Sequence, residues 1–131
     1  MAGEAQSSVL VVEDDPMLAR ALRTVLERRN LAVDWCSHAE DAMLELAHKR
    51  YSAVILDIVL PGGSSGLYVV NYLRNVPKEE RPPVVVITGS DTDVLRKIDR
   101  SIVKTVLFKP LQLDVFATSV EAMVRAHEDG H

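Results

Sequence analysis

Cysteine is nearly absent from this chain: Cys36 is the only one, so no internal disulfide can form. The amino terminus has neither a basic start nor an apolar stretch, which excludes a recognisable secretory leader. Together these point to a reducing, cytoplasmic setting. No apolar run approaches the roughly 18 residues needed to cross a bilayer. There is no long polar tract of the kind that stays disordered, no internal repeat, and no linker that would divide the chain. Positive charge is also short. The net charge of −4 lacks the basic footprint of a nonspecific nucleic-acid binder. The four histidines, His38, His48, His127 and His131, show no metal-ligand spacing and read as solvated surface. At 131 residues the chain is long enough for one domain around one core.

What is present is an alternation of short apolar runs with helical periodicity. Val9 to Val12, Ala53 to Leu56, and Val84 to Ile87 read as strands buried on both faces, because nothing polar interrupts them. Ala32 to Cys36 and Thr105 to Phe108 complete five strands. Asp15 and Pro16 open the first helix, as cap and first helical residue, with Leu18, Leu22, Val25 and Leu26 on its apolar face. Arg28 to Asn30 close it. Ser37 and Glu40 have capping-box spacing before Ala42, Met43, Leu46 and Ala47. A glycine- and serine-rich loop from Pro61 to Gly66 leads into a helix through Val70 and Leu73. Ser90 or Thr92 caps a further helix carrying Val94, Leu95, Ile98 and Ile102, whose cations Arg96, Lys97, Arg100 and Lys104 read as a solvated face. A last helix runs from about Gln112 to His127, with Leu113, Phe116, Val120 and Met123 inward. Right-handed crossovers then place helices on both faces of a doubly wound parallel sheet of order 2-1-3-4-5, a flavodoxin-like α/β arrangement. Cys36 reads as a small buried residue on an inner strand, and Trp35 as cover for a sheet edge.

The carboxyl ends of parallel strands share one rim, so this topology delivers Glu13, Asp14, Asp57, Thr88 and Lys109 to one place. Each has a plain alternative. Glu13 to Asp15 can be a helix-entry acidic cluster, Asp57 a loop aspartate, Thr88 a β-favouring residue at a strand end, and Lys109 a surface lysine. Clustered carboxylates repel and favour a bound proton or cation, and Mg²⁺ is the hard divalent ion suited to a few oxygen ligands. A carboxylate can also act as a covalent nucleophile toward phosphorus.

The runs Val11 to Pro16, Ile55 to Gly62, Val86 to Gly89, and Lys109-Pro110, in this order and at this spacing, resemble the receiver domains of bacterial two-component response regulators. The resemblance covers residues 8–127, with 1–7 as a disordered or extended segment and 128–131 as a tail. It implies that Asp57 accepts a phosphoryl group from a sensor histidine kinase or histidine phosphotransfer protein, in a Mg²⁺-dependent reaction. Asp14, Asp57 and the Val59 carbonyl would bind the ion directly, and Glu13 through water. Thr88, Gly89 and Lys109 would accommodate the phosphoryl group, Pro110 would follow a cis peptide, and Val106 and Phe108 would lie on the output face toward an unnamed partner. Such a protein is a signalling phosphoacceptor that catalyses only its own phosphorylation and dephosphorylation, and this chain alone is not expected to contact DNA.

Three features depart from the family pattern. Val106 stands where an aromatic switch residue is usual, Gly66 falls nine residues after Asp57, one more than is commonest, and Arg100 to Lys104 replace a Gly-Ala turn. Two other functions compete. A phosphorylation-independent docking module would be marked by loss of an acid, the threonine or the lysine, and none is lost. A haloacid-dehalogenase-type phosphatase needs a second acid two residues after the nucleophile, where this chain has Val59.

Overall fold

The computed structural model describes residues 6–58, 66–89 and 95–130. In chain order the elements are β1 (Ser7–Val12), α1 (Pro16–Glu27), β2 (Leu31–Cys36), α2 (Ala39–His48), β3 (Ala53–Asp57), α3 (Leu67–Arg74), a 3-10 turn (Lys78–Glu80), β4 (Val84–Thr88), β5 (Val103–Phe108) and α4 (Leu113–Asp129). All strand pairings are parallel, and the sheet order is β2-β1-β3-β4-β5. The doubly wound sheet expected from the sequence is therefore the one observed. Among the described residues, no helix is long and apolar enough to cross a membrane.

Side-chain alternation along the strands divides the core in two. Leu10, Val12, Val54, Leu56, Val84 and Val86 pack under α2 and α3, joined by Ile98 and Ile102. Val9, Val11, Ala53, Ile55, Val85 and Ile87 pack under α1 and α4, with Leu22, Leu26, Phe116 and Val120. Both faces are covered, which is why the strand sequences do not alternate with polar residues. β1 begins two residues before its apolar run because backbone pairing continues where burial does not: Ser7 pairs with Leu31. β5 begins at Val103, which is buried and pairs with Val84, two residues before the expected start at Thr105.

Helix ends follow local chemistry. The Asp15 carboxylate accepts from the backbone N–H of Met17 at 3.0 Å and of Leu18 at 3.4 Å, with Pro16 opening α1 as expected. After α1 the chain turns through Asn30 at φ 63°, a left-handed conformation that asparagine tolerates. The capping box expected at Ser37 and Glu40 does not form. His38 takes the cap position without a side-chain cap bond, and the Ser37 hydroxyl meets His38 Nδ1 at 3.0 Å instead. Ser37 is one residue too early to reach the first turn.

The helix expected through Ile102 is also not continuous. Among the described residues only Leu95 and Arg96 of that stretch are helical. The Asp99 carboxylate accepts from the backbone N–H and the hydroxyl of Ser101 and from Arg74, and this local bonding competes with a helical ladder. Ile98 and Ile102 are still buried, so these two apolar positions face the core without helical spacing, while Ser90, Thr92 and Val94 lie outside the described residues. Cys36 lies on edge strand β2, not an inner one, and is half-buried. Burial, then Asp41, Glu45 and Asp34, push its thiol up to about 12. α4 runs to Asp129, and the Glu128 carboxylate accepts from the hydroxyls of Ser7 and Ser52, the latter at 2.9 Å.

Candidate functional site

Adjacent strand ends build the site. β1 and β3 pair in register, with Val12 opposite Leu56, so Glu13 and Asp57 emerge side by side where the strand order reverses. One oxygen each from Glu13, Asp14 and Asp57 lie within 4.8 Å of one another, the one such group of metal-capable side chains among the described residues. Glu13 and Asp57 are buried, while Asp14 faces out.

Lys109 reaches in from the end of β5. Its Nζ lies 3.1 Å from Asp57 Oδ2 and 3.6 Å from Glu13 Oε1. Its backbone N–H donates to the Thr88 carbonyl at 2.9 Å, and the peptide bond to Pro110 is cis, as expected. Burial pulls the lysine pKa down, but Asp57 and Glu13 outweigh it and hold the ammonium above its usual value. Thr88, at the end of β4, is buried, and its hydroxyl has no hydrogen-bond partner among the described residues. Among the described residues, a Cβ at Gly89 would meet nothing within 4 Å.

Glu13 carries the most perturbed carboxyl here. Burial pushes it up to about 7, with Asp57 adding to the rise, while the Asp15 backbone N–H at 3.0 Å and Lys109 oppose it. Its Oε1 is buried without a hydrogen bond among the described residues. A buried, half-satisfied carboxylate beside two others is a donor set suited to a hard divalent cation, which would supply the positive charge that one lysine does not. Glu13, Asp14 and Asp57 fit Mg²⁺ in chemistry. The Val59 carbonyl and the loop from Gly62 to Ser65 lie outside the described residues.

Two contacts escaped the sequence reading. Trp35 Nε1–H donates to the Glu13 carbonyl at 2.7 Å, tying the acidic turn to β2. The signal available was register: Trp35 pairs with Val11, two residues before Glu13. Gly66, at the entry to α3, packs so closely that a Cβ there would lie 2.6 Å from the Asp57 carbonyl oxygen. On β5, Val106 is half-buried against the α2–α3 side of the core, and Phe108 is exposed.

The family model for the response regulator receiver domain matches residues 9–121. The transcriptional regulatory protein QseB of Haemophilus influenzae is 32% identical over 94% of this chain and 55% of its own length. The phosphate regulon regulatory protein PhoB of Rhizobium meliloti is 31% identical over 89% of this chain and 52% of its own. The chain thus spans about half the length of the curated relatives it matches. Among solved structures, a signal receiver domain of a putative LuxO repressor from Vibrio parahaemolyticus superposes with a TM-score of 0.84 at 22% identity, covering 95% of this chain and 94% of the other. A two-component response regulator from Clostridium difficile gives 0.78 at 26% identity, over 92% and 97%.

Proposed function

The chain belongs to the response regulator receiver family, and from that membership we propose that Asp57 is its phosphoacceptor, used in a Mg²⁺-dependent transfer from a histidine kinase or histidine phosphotransfer protein. A carboxylate oxygen of Asp57 attacks phosphorus as the phosphorus–nitrogen bond of the donor phosphohistidine breaks, and the electron pair leaves on the imidazole. Asp14, Asp57 and the Val59 carbonyl would hold Mg²⁺ directly and Glu13 through water, and the ion would supply positive charge to the phosphoryl oxygens. Lys109 exchanges its ion pair with Asp57 for a phosphoryl oxygen. Thr88 donates its hydroxyl to another, and Gly89 leaves room for the group. The observation that carries this reading is the Thr88 hydroxyl, buried and unpartnered among the described residues beside a carboxylate that already has an ammonium 3.1 Å away. A buried donor lacks an acceptor, and an aspartyl phosphate would bring one.

Phosphorylation then biases the chain after β4 and along β5, where Val106 and Phe108 face an output partner or domain. Intact mass after incubation with Mg²⁺ and acetyl phosphate tests the central claim. The parent is expected to gain one phosphoryl group and Asp57→Asn none. Equal gain in both would refute the assignment, and no gain in either would favour a docking module that works without phosphate.

A further inference from the structure

At the rim opposite the carboxylate cluster, the entries to β4 and β5 and the end of α4 enclose a cavity of about 420 Å³. Its floor is apolar, formed by Pro82, Pro83, Ile102, Met123 and Ala126. Its rim carries charge of one sign. Lys78, Arg81 and Lys104 stand around it, no aspartate or glutamate lines it, and none of these three cations forms an ion pair among the described residues.

These cations are oriented without being neutralised. Arg81 Nη2 donates to the Val76 carbonyl at 3.0 Å and the Arg74 carbonyl at 3.4 Å, while its Nε is buried with no partner. Lys104 Nζ donates to the Ser101 carbonyl at 2.8 Å. A second cavity, of about 370 Å³ beside α2 and α3, shows the contrast: there Lys49 pairs with Asp34 and Arg50 with Glu80. In a chain of net charge −4, three like charges gathered around an apolar floor repel one another, and an anion relieves that repulsion.

We propose that this cavity binds a small organic anion, a carboxylate carried on a short apolar body. The volume lies within the range of about 300–1,000 Å³ typical of small-molecule sites. The apolar floor takes the body and the rim cations take the carboxylate. The cavity shares no residue with the site around Asp57.

Amide NMR of the full chain, titrated with hexanoate, tests it. Saturable shifts are expected at Ser101 to Lys104 and at Ala126 and His127, with Kd of about 1 mM for so small a ligand. Lys78→Gln combined with Lys104→Gln, both surface changes, should weaken hexanoate about fivefold or more. Hexanol, lacking the charge, and inorganic phosphate, lacking the apolar body, should each bind more weakly than hexanoate. Asp57→Asn should bind it as the parent does, so failure here is separable from failure of the phosphoacceptor assignment. Absence of saturable shifts at these residues overturns the proposal. So does equal binding of hexanol or phosphate, an unchanged affinity in the double variant, or capture of an acidic peptide where hexanoate does not bind.

Discussion

Glu13 and Thr88 are buried polar residues whose costs run in opposite directions. Glu13 stays protonated to about pH 7 in the folded chain, against a reference value of 4.5. Between those values the folded state holds the extra proton, so stability falls as pH rises through the window. The contribution is at most about 3 kcal/mol at 1.36 kcal/mol per pH unit. Urea unfolding at pH 5 and pH 7.5 without Mg²⁺ should show this loss in the parent and a smaller one in Glu13→Gln. Thr88→Ala removes a hydroxyl with no bond to lose among the described residues. The loss of the buried γ-methyl offsets the gain from removing an unsatisfied hydroxyl, so unmodified protein should change in stability by no more than about 1 kcal/mol. With beryllofluoride bound, the same variant should be the less stable protein, as a donor to the phosphoryl mimic is gone. Lys109→Ala should slow phosphorylation by acetyl phosphate about tenfold or more, the scale of a charge-assisted hydrogen bond of roughly 1.5–3 kcal/mol. A rate equal to the parent would remove Lys109 from the mechanism.

Elements were legible in the sequence where burial alone decides them. Val84 to Thr88 is apolar up to its last residue because both faces of β4 are covered, and no other element suits that pattern. The carboxylates, threonine and lysine were legible for the same reason, since parallel strands bring their carboxyl ends together once the order is known. Ends and turns were harder because they depend on hydrogen bonds that several neighbours can satisfy. Ser37 had the right residue type one position too early, and Asp99 turned a helix-spaced stretch into local turns. The Trp35 contact with Glu13 needed β1–β2 register as well as composition. Gly66 shows what the loop spacing concealed. At φ −56° it has no conformational need to be glycine, yet the Asp57 carbonyl leaves no room for a Cβ. Gly66→Ala should cost about 1–3 kcal/mol in urea unfolding and slow phosphorylation, because relieving the contact displaces β3. Gly89→Ala meets nothing among the described residues and should cost no more than roughly 0.5 kcal/mol.

For the whole molecule, the proposed cation binding and folding would draw on the same carboxylates. Free Mg²⁺ at about one hundred times its Kd should stabilise the domain by about 2.7 kcal/mol, raising Tm by roughly 10 °C for a chain of this length. Calorimetric melts should show the increment shrinking in Asp14→Ala. It should also shrink below pH 7, as a proton competes for Glu13. An increment unchanged in Asp14→Ala would place the ion elsewhere. Far from that rim, the Glu128 carboxylate holds the hydroxyls of Ser7 and Ser52, although Ser7 and Glu128 stand 121 positions apart. The first strand and the last helix therefore meet, and the polypeptide path is nearly a closed ring. A ring has no privileged opening: a circular permutant joined across Ser7 and Glu128 and cut within the exposed turn from Pro77 to Glu80 keeps every strand pairing, and its new ends leave from beside β4.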